Sequence, residues 1–125
     1  MACAAALASI EVIEEEDILE NVRTIGDFFM KRLNKMKEQH PIIGDVKGKG
    51  FLLGIELVKD KVTKEPFEQA GTLVYQKAFR KGLAWIPAGH ILRMSLPLIM
   101  DEYYANKGMD IIEDAITEVE KEFGY

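Results

Sequence analysis

The chain has few of the residues that staple or interrupt small folds: one cysteine, four prolines, two histidines and one tryptophan in 125 positions. Cys3 cannot form an internal disulfide, and zinc centres built on several cysteines are excluded by count. A lone thiol suits a reducing compartment, so a cytoplasmic protein is expected. Cations are in deficit as well, with sixteen Lys and Arg against twenty-one Asp and Glu, a formal charge of −5. The acidic excess is spread along the chain, which argues against a nucleic-acid footprint. No apolar run reaches the roughly 18 residues of a membrane span, since Ala2 to Ile10 and Gly82 to Ile91 are short or broken by polar residues. The alanine-rich start has no basic n-region and runs into Glu11, Glu14, Glu15 and Glu16, which fits a helix better than a signal peptide.

What remains is ordinary globular material of one-domain length, with 48% hydrophobic and 30% charged residues, enough to fill a core without staples. Ala2 to Glu16 has high helix propensity, and its apolar excess predicts burial. Asp17, with Glu20 three positions on, looks like a capping box after a kink. Ile18, Val22, Ile25, Phe29, Leu33 and Met36 then recur at helical spacing. Gly26 inside this helix predicts a close packing neighbour. After Pro41, the glycine-punctuated stretch Ile42 to Val58 reads as two strands, the second being Phe51 to Val58. Pro66 can open a helix whose buried face is Phe67, Ala70, Val74 and Ala78, and Gly82 stops it. Leu83 to Pro87 and His90 to Met94 fit a hairpin about Ala88-Gly89. Asp101 and Glu102 start a last amphipathic helix through Met109, Ile112, Ile116, Val119 and Phe123. The expected fold class is α+β, a small and mainly antiparallel sheet covered by helices and preceded by a long kinked helix, in the order α, α, β, β, α, β, β, α.

Few residues offer chemistry. Gly48-Lys49-Gly50 is like a phosphate loop, but a strand follows where a dinucleotide site needs a helix, so a turn or close backbone approach explains it better. His40 and His90 have no Asp, Glu or Cys at ligand spacing, which predicts surface or turn positions and no metal site. The run Glu14 to Asp17 reads as a solvated face. Arg93 stands out because Ile91 to Leu98 is otherwise apolar or small. Its guanidinium calls for a carboxylate, either an internal Asp or Glu or that of a substrate. None of the twelve lysines sits in the apolar neighbourhood that a Schiff-base lysine requires.

Three stretches resemble one family. Ala2 to Glu16 is similar to the helix that follows a Gly-Asn-Pro turn in class III pyridoxal-phosphate-dependent aminotransferases. Val46 to Leu57 resembles their glycine-rich strand, and Leu92 to Leu98 their arginine-bearing strand. The resemblance covers essentially the whole chain. It implies the C-terminal part of a fold-type I subunit: residues 1–16 as a helix ending the large domain, and 17–125 as the small domain. The family's aldimine lysine and its other cofactor contacts lie upstream of the matched region, so pyridoxal 5'-phosphate is expected in the complete enzyme and not on this chain alone, which is expected to be inactive. Carried over residue by residue, Arg93 matches the arginine that receives the substrate carboxylate. Gly48, Gly50 and Gly54 match glycines that shape the backbone beside the active-site entrance. Leu96 departs from the family, which usually has the first of two prolines there, and puts the turn after Arg93 in question. The implied function is amino-group transfer from an ω-amino acid such as 4-aminobutyrate to a 2-oxo acid such as 2-oxoglutarate, in a homo-oligomer with neither nucleic-acid nor membrane partners. The competing expectation is a non-catalytic binding or assembly module that keeps the small-domain fold.

Overall fold

The computed structural model describes the whole chain, residues 1–125. Helix α1 spans Ala2–Glu15 and α2 spans Ile18–Gln39. Asp17 between them has φ +51°, so the expected kink is a full break. The expected capping box does not form, because an N-cap carboxylate needs an extended backbone and Asp17 is left-handed; its side chain makes no cap hydrogen bond. The predicted burial of α1 also fails. None of its residues is buried, and Leu7, Ile10 and Val12 face solvent.

Helix α2 buries Ile18, Ile25, Phe29, Leu33 and Met36 as its periodicity requires, with Val22 half-buried. Gly26 has the close neighbour its position predicts: a Cβ there would lie 2.7 Å from the Gly50 Cα. Helix α2 therefore rests directly on the turn between strands β1 (Ile43–Lys49) and β2 (Leu52–Leu57), where Gly50 takes φ +57°. Both strands are antiparallel, and β3 (Ile91–Ser95) adds to the other edge of β2, giving the order β1-β2-β3. Alternation sets the two faces. Leu53, Ile55, Leu57, Leu92 and Met94 point into the core, whereas Leu52, Gly54, Glu56, Arg93 and Ser95 lie on the open face.

Helix α3 (Glu68–Arg80) starts two residues after Pro66, with Phe67 as N-cap, and buries Ala70, Gly71, Val74 and Ala78. The strand expected over Leu83 to Pro87 is absent, and only an isolated bridge joins Ala88 to Ile91. The chain leaves α3 through Gly82 at φ +92°, the Leu83 N–H donates back to the Ala78 carbonyl at 3.0 Å, and the Trp85 ring packs edge-on against Tyr75 at 5.3 Å. Side-chain packing on α3 replaces a ladder here, and Pro87 has no N–H to offer one. The order is thus α, α, β, β, α, β, α. Helix α4 (Glu102–Phe123) is capped by Asp101, whose carboxylate accepts from the Tyr104 N–H at 2.9 Å. Its stripe of Met109, Ile112, Ile116 and Val119 completes a core cluster of 23 buried residues between the helices and one face of the sheet. Ion pairs fasten the helices from outside: Arg32 to Asp110 and Glu113, and Lys77 to Glu118 and Glu122. No helix is long and apolar enough to cross a membrane.

Candidate functional site

Pairing across the sheet places Lys47, Gly54 and Arg93 in one row of the open face, with Leu52 and Ser95 in the row nearer the β1–β2 turn. The irregular segment after α3 contributes Leu83, Ala84, Trp85 and Ile86 to a cleft of about 560 Å³, which Lys47, Leu52, Arg93 and Ser95 line from the open face and Phe29, Leu53, Met94 and Ile112 from the core side. Of the fourteen lining residues ten are hydrophobic, and the charged ones are Lys47 and Arg93.

The two cations differ in their surroundings. Lys47 lies 3.4 Å from Asp45 and 3.6 Å from Glu56. Asp45 also accepts from Lys37 at 2.8 Å and from the Val46 N–H, and the Lys37 hydrogen bond is the main reason its carboxyl is lowered to about 2. Glu56 is further shared with His90, whose Nε2 is 3.8 Å away. Arg93 is exposed, has no carboxylate within 4.0 Å and makes no hydrogen bond within the chain. Of the two partners open to Arg93 in the sequence, the internal acid is therefore not present.

The backbone around Arg93 is well held. The Leu96 N–H donates to the Phe51 carbonyl at 3.2 Å, continuing the β2–β3 ladder one step past Ser95. Proline could not make that bond, so the Leu96 departure adds a constraint to the turn. Further on, the Asn21 side-chain amide donates to the Leu98 and Met100 carbonyls at 3.0 and 3.1 Å, tying the segment after β3 to α2.

The three glycines do not share one role. Gly48 has φ +149°, and a Cβ would fall 2.3 Å from the Leu52 carbonyl oxygen; Gly50 is left-handed under α2. Gly54 has ordinary φ, and a Cβ there would meet nothing nearer than 3.9 Å, so backbone geometry does not require glycine at that position. His40 opens a turn as expected, its carbonyl accepting from the Ile43 N–H at 3.3 Å, but it does not lie at the surface. It is buried, with Nδ1 2.8 Å from the Glu120 carboxyl, a partner 80 residues away that spacing along the chain could not reveal. Sequence reasoning also missed Leu52, Trp85 and Ile86 as cleft walls. The alternation of β2 was the available signal for Leu52, and the mistaken strand hid the other two.

The comparisons bear on what this cleft belongs to. The family described as Aminotransferase class-III matches residues 1–116. The chain belongs to that family. It is 43% identical over 123 residues to a leucine/methionine racemase of Thermococcus litoralis, covering 97% of this chain and 28% of that protein. It is 38% identical over 122 residues to a 5-aminovalerate aminotransferase of Pseudomonas putida, covering 95% and 28%. Among solved structures it matches an amine transaminase from an uncultivated Pseudomonas species, in the PLP-bound (internal aldimine) form, with TM-score 0.89 and 30% identity over 94% of this chain and 27% of that one. The fold is accordingly that of part of a class-III aminotransferase, and the chain spans about a quarter of the length of these relatives.

The residues present do not form a cradle for a Schiff-base cofactor. None of the twelve lysines is buried, and the half-buried ones, Lys37 and Lys77, are held by Asp45 and by Glu118 and Glu122. What the site presents is a guanidinium with no carboxylate partner in a cleft lined mainly by hydrophobic side chains.

Proposed function

We propose that this chain is the carboxylate-receiving part of a pyridoxal-phosphate-dependent aminotransferase, with Arg93 as the clamp. The observation that carries the reading is the guanidinium of Arg93, which lines an apolar cleft without an internal acid, on a strand fixed at both ends. Such a clamp orients a carboxylate-bearing amine by a bidentate pair and lowers the entropic part of the barrier. The cofactor would supply the electron sink and be held by residues outside this chain, and none of its chemistry is assigned to residues here. The amino donor is an ω-amino acid, 4-aminobutyrate in the first instance, and the acceptor a 2-oxo acid such as 2-oxoglutarate; the 5-aminovalerate aminotransferase among the relatives supports that substrate type. Residues 1–16 would close the large domain and 17–125 form the small one, in a cytoplasmic homo-oligomer, a reading supported by the unpacked α1 with its exposed Leu7 and Ile10.

The test is kinetic. In a chain that also carries the upstream region of the relatives, Arg93→Leu should lower kcat/KM for 4-aminobutyrate at least about tenfold and leave a carboxylate-free amine within about twofold. Equal effects on both donors would remove Arg93 from the clamp. A second reading, a non-catalytic binding or assembly module, is favoured by the lack of any buried lysine, and transamination by the extended chain would dismiss it.

A further inference from the structure

Two large aliphatic side chains stand in solvent at the edges of the cleft: Leu52 is 69% exposed and Ile86 is 80% exposed. Leu52 pairs with Ser95 while Gly54 pairs with Arg93, so Leu52 and Arg93 are diagonal neighbours on the open face. Diagonal pairs lie about 7–8 Å apart, a span that one small molecule bridges. Trp85, half-buried and packed edge-on against Tyr75, also lines the cleft. No acid lines the cleft, and Lys47 already faces Asp45 and Glu56, which leaves the Arg93 guanidinium as its one unpaired charge.

A single positive charge against an apolar wall complements a molecule with one carboxylate and a hydrocarbon body. A second anionic group would leave water for a surface with no unpaired cation to receive it, and burial of an unpaired charge is strongly unfavourable. A short acid would reach Arg93 but leave the wall uncovered.

We propose that the cleft selects monocarboxylates with an apolar body, with Leu52, Trp85 and Ile86 as specificity-determining residues beside Arg93. The inference rests on the Arg93 clamp and narrows it: the part of the substrate that lies on this chain is hydrocarbon, and a dicarboxylic 2-oxo acid would hold its second carboxylate off this surface.

Trp85 is the only tryptophan in the chain, so its fluorescence reports on the cleft alone, and the Arg93 Nε–H resonance reports on the anion. The 125-residue protein is titrated with 4-methylpentanoate, acetate and glutarate. We expect 4-methylpentanoate to move both signals saturably and to bind at least about tenfold more tightly than either of the other acids, the discrimination typical of an apolar pocket. The Leu52→Ser/Ile86→Ser double variant, altered at exposed positions that leave the core untouched, should weaken 4-methylpentanoate about tenfold and leave acetate unchanged. Glutarate binding as tightly as 4-methylpentanoate, with Arg93→Leu still abolishing both, would overturn the apolar selection and leave the clamp standing. Titrations indifferent to Arg93→Leu would overturn the clamp and this inference together. If none of the three acids moves either signal, the selection is overturned, and the clamp is judged by the kinetic test alone.

Discussion

On the helical side of the sheet, a Cβ added to Gly26 would fall 2.7 Å from the Gly50 backbone, whereas on the open side a Cβ at Gly54 meets nothing nearer than 3.9 Å. Polar groups repeat the contrast. In the helical layer His40 and Glu120, both buried, find each other at 2.8 Å, while on the open face Arg93 has no partner in its own chain. At this pair burial demands satisfaction and the chain supplies it, so His40 and Glu120 are explained by folding. Where the chain leaves room and charge unmatched, the explanation has to come from something that binds. The contrast separates structural from functional polar residues on physical grounds, and substitutions on each side can break it.

The largest effect is expected at the buried pair. His40→Leu leaves the Glu120 carboxyl buried, with only a long 3.5 Å contact from the Ile42 N–H, and should cost about 3 kcal/mol in urea unfolding, the range for breaking a buried pair from one side. The double variant His40→Leu/Glu120→Leu should recover much of that loss, since it removes the unpaired group as well. A single-variant loss below about 1 kcal/mol would mean that water reaches the carboxyl, and the helical layer would be less tightly satisfied than the comparison holds.

The glycines give a matched pair of intermediate size. Gly26→Ala drives a methyl into backbone atoms that no rotamer change can move and should cost about 1–3 kcal/mol, as overpacking does. Gly54→Ala has ordinary van der Waals room and trades a flexible residue for a stiffer one, so a change within about 0.5 kcal/mol, or slight stabilisation, is expected. Equal losses at both positions in urea unfolding would erase the difference between the two faces.

These same residues show how far the chain can be read before its fold is seen. The stripes of α2 and α4 and the Asp101 cap are legible because they are local: a period of three to four residues, or a side chain three positions from its N–H, is written in adjacent letters. Gly26 is legible as a demand for a neighbour, though not as Gly50. The Leu83–Pro87 segment misleads because a short apolar run does not distinguish a strand from a coil packed on a helix. His40 misleads because its partner is distant in sequence. The exposure of α1 is not legible because propensity says nothing about what covers a helix. At the site, Arg93 stands out by its apolar neighbours and the family resemblance, but the wall facing it depends on a fold-back of the chain that no local pattern encodes.

A near-neutral effect is the most telling for the site. An arginine serving as an internal ion-pair partner would, on removal, leave a buried carboxylate uncompensated and cost about 3–5 kcal/mol. Arg93 has no such carboxylate within 4.0 Å, and its side chain stands on the exposed face of β3, whose backbone is held by β2 and by the Leu96 N–H independently of the side chain. Arg93→Leu should therefore change stability by less than about 1 kcal/mol, the range of surface substitutions. Its neighbours Leu92 and Met94 keep their places in the core, so the strand should stay folded in the variant. Urea unfolding of the two chains side by side measures the difference. A loss of several kcal/mol would make Arg93 a structural residue like His40, and the open face would then hold no unmatched charge for a ligand to answer.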